Sequence, residues 1–391
     1  MEYINKTFGD SNVEGTCFSN NDVEEIHLFV KSSCTESFAA QLEDLFAGLK
    51  RYLDENGIPS DSVIFTRYFV SDYINQSEAL SAISSKCAED FGSCAVSIVQ
   101  QPPLNDNKIA VWAYIVNDSI QMGLGGKVVK GNHLKVRRGE YEHIWSTQLT
   151  KVNGAIESSD QTTDIFSHFD NSLTADGYSL KDNCIRTWIF VKDIDFNYKG
   201  VVEARKDFFD KRDMTANTHF IASTGIEGRY VDPEVNVLMD AYSVGGMSGE
   251  QVRFLEARSH LNPTYEYGVT FERGTSLDFG DRRHIYISGT ASINNLGEVI
   301  HTKDVAKQVE RTIENISALL GDADATMENV AQMIVYLRDI GDTDAVNHYF
   351  DENYQDIPKI LVLAPVCRPG WLVEVECVAI KAVSNPQFSN F

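Results

Sequence analysis

The chain has 391 residues, of which 43% are hydrophobic and 23% are charged, and this composition excludes an intrinsically disordered protein. Acidic residues outnumber basic residues by 57 to 34, and the resulting net charge of −23 disfavours nucleic acid as a partner. Neither a signal peptide at MEYINKTFGDSN nor an apolar run of about 18 residues is recognisable, so we expect no membrane partner. Seven cysteines without a CxxC pair are typical of reduced thiols in a cytoplasmic protein.

Three segments of the chain share one pattern. Gln41 to Asp72 aligns without a gap with Gln308 to Asp339, and Gln161 to Asp193 fits the same template with one extra residue. A strand-like run that contains a histidine precedes each segment, at His27, His143 and His284 in chain order. Three matches in the same order predict a tandem repeat.

Glycine-rich stretches separate the three copies. They are MGLGGK around Gly125 and VGGMSGE around Gly246. The first lacks the spacing and the Ser/Thr of a phosphate-binding loop, so we interpret it as a linker. The sequence therefore predicts domains at 1–122, 123–247 and 248–391.

The third copy shows the elements of one repeat most clearly. Val309, Ile313, Ile316 and Leu320 form a helical stripe, and 331–337 alternates like a strand with one buried face. A second short helix is predicted at Asp344 to Tyr349, followed by strands near Ile360–Ala364 and Trp371–Ile380. These elements indicate an α+β unit in which helices cover one face of a sheet.

Three segments of the third copy, within roughly residues 265 to 382, form a recognisable pattern in order and spacing: HIYISGTASINNLGEVIHTKDVAKQVERTIENISALL, VYLRDIGDTDAVNHYF and LVEVECVAI. With these segments the third copy resembles the RidA/YjgF superfamily. The resemblance implies a chorismate-mutase-like fold and trimers with ligand sites in the clefts between subunits. Three copies in one chain would then form a single-chain pseudo-trimer with three non-equivalent clefts. Association beyond one chain is left open.

The strand 365-PVCRPGWLVEVECVAI-380 carries two carboxylates in apolar company. Glu374 falls on the functional glutamate of the superfamily, and Glu376 follows on the same strand face. The first copy has Ala110 and Trp112 at the corresponding places, and the middle copy has Leu238 and Asp240. The third copy therefore carries the predicted site.

Two features bear on the branch of the superfamily that the chain resembles. RidA deaminases carry a Pro-Ala-Arg segment whose arginine holds the substrate carboxylate, whereas this chain reads Pro358-Lys359-Ile360. Other segments resemble the chorismatases, which remove pyruvate from chorismate. These segments are YGVTFERG, SGTAS, CRPGWLVEVE, the RTW at Arg186, and His301 with Asp304 and Gln308.

The candidate site residues follow from this resemblance and from the chemistry of a dianionic substrate. Glu374 is the candidate catalytic acid, because burial on an apolar strand raises the pKa of a carboxylic acid toward the working pH. Arginines match carboxylates bidentately, and a tyrosine, a serine or a second carboxylate can support them. The candidate substrate-binding residues are Arg368, Arg273, Arg186, Arg229, Tyr267, Ser288 and Glu376.

The histidines and cysteines predict no further chemistry. His27, His143 and His284 occupy matching places in the three copies, which favours a structural role. The sequence contains no HxH, HExxH or HxxxH pairing, so we expect no metal and no cofactor. Cys367 and Cys377 have no histidine near them in sequence that could activate a nucleophile.

Three functions remain open from the sequence. The first is chorismatase-like cleavage of chorismate, a small carboxylated metabolite, to pyruvate and a cyclic acid. The second is deamination of an imine or enamine, with Lys359 or Arg368 in place of the lost arginine, and the negative charge disfavours a related endoribonuclease activity. The third is a non-catalytic metabolite-binding or interaction protein.

Overall fold

The computed structural model describes residues 1–34, 37–104, 107–118 and 126–391. In these ranges the strands form three six-stranded sheets, each belonging to one copy of the repeat. The boundary predicted at residue 122 and the joint around Gly125 lie outside the described residues. The boundary predicted at residue 247 lies between the last strand of the second sheet and the first strand of the third.

The first sheet comes from the N-terminal repeat. Its strands are β1 (Glu2–Phe8), β2 (Ser11–Asn20), β3 (Val23–Ser32), β4 (Val63–Val70), β5 (Ala95–Gln100) and β6 (Ile109–Asp118). Its helices are α1 (Phe38–Glu55), α2 (Tyr73–Ser81) and α3 (Ile83–Phe91). The strand order is β1-β2-β3-β6-β4-β5, and the pair β4 and β5 is parallel.

The second sheet comes from the middle repeat. Its strands are β7 (Lys127–Lys130), β8 (His133–Arg138), β9 (Tyr141–Leu149), β10 (Cys184–Val191), β11 (Ala222–Glu227) and β12 (Val237–Gly245). Its helices are α4 (Ser158–Ala175), α5 (Leu180–Asn183) and α6 (Ile194–Asp210). Read from β7, the order β7-β8-β9-β12-β10-β11 repeats that of the first sheet.

The third sheet comes from the C-terminal repeat and has the same order, β13-β14-β15-β18-β16-β17. Its strands are β13 (Val252–Phe254), β14 (Gly274–Asp278), β15 (Arg282–Ala291), β16 (Val330–Leu337), β17 (Lys359–Leu363) and β18 (Val373–Ala382). Its long helices are α7 (Val305–Asp322) and α8 (Thr343–Asn353). The predicted helix and strands of this copy are confirmed. Three equal topologies also confirm the α+β tandem repeat and the single-chain pseudo-trimer.

The prediction of one buried face for the strand at 331–337 was wrong, because every residue of β16 is buried. Helices cover one face of each sheet, and the other face packs against the sheets of the neighbouring repeats. In this shared core Trp188 stacks on Trp145 and meets Trp112 of the first sheet edge to face. Tyr242 contacts both Trp145 and Tyr286 of the third sheet with tilted rings. A single repeat would therefore expose an apolar sheet face to water.

A shared irregularity aligns the three repeats. The pairings of β4 with β6, β10 with β12 and β16 with β18 each contain one register shift near the start of the first strand. Counting from that shift, Ala110, Leu238 and Glu374 are equivalent, and so are Trp112, Asp240 and Glu376. These are the correspondences predicted from the sequence.

The histidines do not all match in this register. His143 pairs with Val244 and His284 pairs with Ile380, but the residue at the corresponding place in the first repeat is Glu25. His27 lies two residues further along β3, so its predicted equivalence was wrong. The difference brings a carboxylate opposite His284, with Glu25 Oε1 2.8 Å from His284 Nε2.

Candidate active site

A pocket lies between the middle and C-terminal repeats and encloses about 520 Å³ of empty space, part of it open to solvent. The middle repeat supplies Tyr198 and Arg205 from α6, and Ser223 and Gly225 from β11. The C-terminal repeat supplies the remaining lining residues, which are Val269, Phe271, Arg273, Gly289, Ala291, Ile293, Cys367, Arg368, Trp371 and Glu374. The pocket therefore lies in an inter-repeat cleft, as the resemblance implied.

Glu374 is the second residue of β18 and is 5% exposed. Within the described part of the chain, no hydrogen bond reaches its carboxylate. Burial raises the pKa of Glu374 to about 8, the nearby charge of Glu376 adds to the rise, and Arg186 and Arg273 oppose it. At neutral pH the side chain is therefore mostly a neutral acid that faces the pocket and can donate a proton.

Glycine at position 289 leaves room for this carboxyl group. A Cβ at residue 289 would lie 2.1 Å from Glu374 Oε1, a separation that real Cβ atoms do not reach. Gly289 belongs to the SGTAS segment. This segment therefore contributes to the pocket the space that a larger side chain would fill.

Glu376 points into a closed network across the same repeat boundary. Its Oε2 lies 2.8 Å from Arg186 Nη2, and its Oε1 accepts a hydrogen bond of 2.7 Å from Trp188 Nε1. Thr224 donates its hydroxyl to the same carboxylate. Both members of the ion pair are about 2% exposed, so Glu376 is buried and already paired.

Arg186 and Ser288 belong to this network rather than to the pocket lining. Arg186 Nη1 donates to Ser288 Oγ at 3.2 Å. Ser288 Oγ in turn accepts from Ser223 N at 2.9 Å and donates to Glu272 O at 2.6 Å. The network ties β10 and β11 of the middle repeat to β15 and β18, the strand that also carries Glu374.

Two of the predicted arginines line the pocket. The Arg273 guanidinium is held by the carbonyl oxygen of Asn262, with Nη2 donating at 3.0 Å, and is 7% exposed. Arg368 is half-buried in the turn before β18 and lies over the Trp371 ring, with its Cζ atom 5.0 Å from the ring centroid. Gln308 braces this turn, donating to Gly370 O at 2.9 Å and accepting from Leu372 N at 2.8 Å.

Sequence reasoning missed Arg205. It lies on the buried side of α6 among Val201, Ala204 and Phe208, and it is 2% exposed. Its Nε donates to Thr270 Oγ1 at 3.2 Å, which bridges the two repeats. The available signal was a charged residue within the apolar stripe of an amphipathic helix, where a buried arginine requires polar partners.

The remaining candidates lie elsewhere or are not described. Arg229 is 44% exposed, pairs with Asp193 at 2.6 Å and is outside the pocket lining. The side chain of Tyr267 lies outside what the structure describes. Lys359 lines a different cleft, between the C-terminal and N-terminal repeats, together with Ala110. Lys359 is therefore separated from Glu374 and cannot replace the missing arginine in its pocket.

Cys367 faces the pocket together with Tyr198. Burial raises the pKa of the Cys367 thiol to about 12, with a further contribution from the charge of Glu374. A thiol with such a pKa is protonated at neutral pH and is a poor nucleophile. In the described ranges, no group of three His, Cys, Asp or Glu side chains could hold a metal ion. None of the helices described there is long and apolar enough to cross a membrane.

The chain is similar in sequence to known proteins of one family. The Endoribonuclease L-PSP family model matches residues 279–381. A RutC family protein of Pyrococcus abyssi is 32% identical over 100 residues, which cover 25% of this chain and 78% of that protein. The 3-aminoacrylate deaminase RutC of Acinetobacter baylyi is 28% identical over 97 residues, which cover 24% of this chain and 77% of the deaminase.

The similarity of folds extends further along the chain. A crystal structure of a chorismatase superposes with a TM-score of 0.62 at 16% identity and covers 82% of this chain and 93% of that one. The sequence relationship is thus concentrated in the C-terminal repeat, whereas the shared architecture spans most of the chain. The chain belongs to the RidA/YjgF superfamily and has a chorismatase-like fold.

Proposed function

We propose that the chain is an enzyme that acts on a small carboxylated metabolite in the cleft between residues 123–247 and 248–391, each taken as one domain. The observation that carries the proposal is the buried acid Glu374, whose pKa is raised to about 8, in a pocket that three arginines also line. A neutral carboxylic acid beside guanidinium groups suits a substrate that carries negative charge and needs a proton.

The specific reaction proposed is chorismatase-like hydrolysis. Glu374 transfers its proton to the methylene carbon of the enol-pyruvyl ether, and the adjacent carbon becomes an oxocarbenium centre. Water adds to that centre, its proton returns to Glu374, and the resulting hemiketal collapses to pyruvate and a ring alcohol. The sum is chorismate plus water giving pyruvate and a cyclic dihydroxy acid. The proposal does not depend on a cofactor or a metal ion.

The arginines divide into two groups in this proposal. Arg205, Arg273 and Arg368 line the pocket and bind the two carboxylates of the substrate. Arg186, Glu376 and Ser288 are positioning residues, because they hold the strands that carry Glu374 and the pocket wall. Arg229 is assigned no role, since it pairs with Asp193 outside the pocket.

The test is release of pyruvate from chorismate by the purified chain, measured with a lactate dehydrogenase coupled assay. We expect turnover that Glu374→Gln abolishes and that Glu310→Gln, on the exposed face of α7, leaves unchanged. Absence of turnover, or equal turnover in Glu374→Gln, would reject the reaction.

A second candidate is deamination of an enamine, favoured by the relative named 3-aminoacrylate deaminase RutC. Protonation of an enamine at carbon requires the same neutral acid, and the iminium that results is hydrolysed to ammonia and a carbonyl compound. Ammonia release from an amino-acid-derived enamine, lost in Glu374→Gln, would favour this reaction. A thermal shift with chorismate but no turnover of either substrate would favour the non-catalytic binding protein.

The cellular setting follows from the same proposal. We propose a cytoplasmic protein whose partner is this small metabolite, without nucleic acid or a membrane. The net charge of −23 supports the exclusion of nucleic acid.

A further inference from the structure

Strand β10 presents its side chains to two different sites. Arg186 and Trp188 point to one face, where both donate to Glu376. Thr187 between them points to the opposite face, since side chains alternate along a strand. In the parallel pairing of β10 with β11, Thr187 lies opposite Ser223, and its hydroxyl donates to Ser223 Oγ at 2.9 Å. Thr187 therefore acts on the inter-repeat pocket through Ser223, which lines it.

The hydrogen bonds around Ser223 fix the direction of its hydroxyl proton. A serine hydroxyl has one proton to donate and two lone pairs that accept. Thr187 donates to Ser223 Oγ at 2.9 Å, and Arg205 Nη1 donates to the same atom at 3.4 Å. Both accepting positions are thus occupied. Within the ranges that the structure describes, Ser223 Oγ donates to no protein atom, so its proton can be given to a molecule in the pocket.

The same contacts place a positive charge next to this hydroxyl. Arg205 and Ser223 are both buried, and both line the pocket. Arg205 Nε also donates to Thr270 Oγ1 at 3.2 Å, so hydroxyl groups on two different elements hold the guanidinium in place. A fixed guanidinium and a hydroxyl donor beside it match the two oxygens of a carboxylate, because hydrogen bonds to an ionised acceptor are the stronger ones.

We propose that Ser223 and Arg205 form a carboxylate subsite, in which the Ser223 hydroxyl donates to one carboxylate oxygen of the substrate. Thr187 is a positioning residue, because it directs this hydroxyl and acts on the substrate only through it. The inference rests on the function proposed for this cleft and deepens it, since it assigns one carboxylate of the substrate to the middle repeat. Arg273 and Arg368 of the C-terminal repeat then hold the other carboxylate.

The test compares benzoate with benzamide, a neutral molecule of nearly the same shape, by isothermal titration of the full chain. We expect the parent chain to bind benzoate more tightly, since only benzoate carries a carboxylate. Ser223→Ala should weaken benzoate binding by about tenfold, the equivalent of one hydrogen bond to a charged group, and benzamide binding by a smaller factor. Ser167→Ala, on α4 of the same repeat, is the matched control and should change neither affinity, because its hydroxyl donates to Thr163 O outside the pocket.

The positioning role of Thr187 is tested through the hydrogen bond that it donates. Thr187→Val keeps the shape of the side chain but removes its hydroxyl, so benzoate affinity should fall by about twofold or more, the equivalent of one neutral hydrogen bond. Thr187→Ser restores the donor and should bind benzoate like the parent chain. A purely structural role for Thr187 would instead weaken benzoate and benzamide by the same factor.

Two results would overturn the proposal. One is a parent chain that binds benzoate no more tightly than benzamide, and the other is unchanged benzoate affinity in Ser223→Ala. Thermal unfolding shows whether each variant is folded, and if Ser223→Ala is not, the preference of the parent chain and its reduction in Thr187→Val decide the outcome. The titration needs no turnover, so failure of the proposed reaction is recognised separately, as benzoate binding that responds to Ser223→Ala in a chain that converts neither chorismate nor an enamine.

Discussion

The carboxyl group of Glu374 lies against the backbone of Gly289, where a Cβ atom would come within 2.1 Å of Oε1. Gly289→Ala should therefore displace the acid from its place in the pocket. We expect activity to fall with Glu374 still present, and stability to fall by about 1–3 kcal/mol, as in other overpacked cores.

The matched control for this substitution is Gly321→Ala in α7, where a Cβ atom meets nothing within 4 Å. There the change should raise stability by about 0.5–1 kcal/mol, since alanine favours a helix over glycine. Thermal unfolding measures both variants. Unchanged turnover in Gly289→Ala would contradict the placement of Glu374.

The raised pKa of Glu374 predicts a distinct pH dependence of stability. The folded chain holds this proton up to about pH 8, whereas the unfolded chain releases it near pH 4.5. Stability from this group is therefore present below pH 4.5 and is lost as pH rises to 8, by up to about 1.4 kcal/mol per pH unit. Glu374→Gln should not show this loss. Between pH 5 and pH 8 the free energy of unfolding of the variant should therefore rise relative to that of the parent chain. Denaturant unfolding at several pH values measures the difference, and parallel curves would contradict it.

The ion pair between Arg186 and Glu376 should couple the middle and C-terminal repeats. Glu376→Gln leaves a buried guanidinium without its counter-charge, and we expect a loss of about 3–5 kcal/mol. Arg186→Met combined with Glu376→Gln should lose less than the sum of the single changes. The exposed pair Arg51 and Glu55 serves as control, with an expected cost of about 0.3–0.5 kcal/mol for Arg51→Met.

Arg205 should matter for substrate binding although it lies on the helix of another repeat. Arg205→Gln removes a guanidinium from the pocket, so KM for a carboxylated substrate should rise by at least about tenfold, the equivalent of one charge-assisted hydrogen bond. Lys206→Gln, on the exposed side of the same helix, should leave KM unchanged. Steady-state kinetics of the two variants distinguish a binding role from a general loss of fold.

Glu25 should stabilise the junction of the N-terminal and C-terminal repeats in a pH-dependent way. Its Oε1 lies 2.8 Å from both Arg282 Nη1 and His284 Nε2, and these partners hold the pKa of Glu25 well below its usual range against the opposing effect of burial. The stabilisation is therefore present above about pH 4.5 and is lost as pH falls. Glu25→Gln should cost about 3–5 kcal/mol at pH 7, whereas the neighbouring Glu24→Gln should have little effect. Acid unfolding curves that coincide for Glu25→Gln and the parent chain would contradict this role.

The repeat and its helices and strands could be predicted from the sequence because they depend on local side-chain patterns. The helical stripe from Val309 to Leu320 and the strand that holds Glu374 follow from side-chain periodicity, which does not depend on partners distant in sequence. The equivalence of Glu374 with Leu238 and Ala110 was also predictable, since one template aligns the three copies. His27 was misaligned because a shared residue type suggested an equivalence that the strand register does not support.

The candidate site was predictable in part. Glu374, Arg273 and Arg368 belong to one repeat, and all three line the pocket. Arg186 and Glu376 were expected to bind substrate. In the structure they form a buried ion pair with each other across the boundary between two repeats. Arg205 was not found, since its helix comes from the middle repeat and no short motif surrounds it.

The sequence by itself determined the α+β repeat, its threefold recurrence and the strand on which the acid lies. Tertiary structure decided which charges face the pocket and which neutralise one another. The physical reason is that periodicity is a property of neighbouring residues, whereas the protonation of Glu374 depends on desolvation and on charges from another repeat. Glu374 and Glu376 are two residues apart on one strand face, and only the packing of the middle repeat gives one of them an arginine and leaves the other facing the pocket.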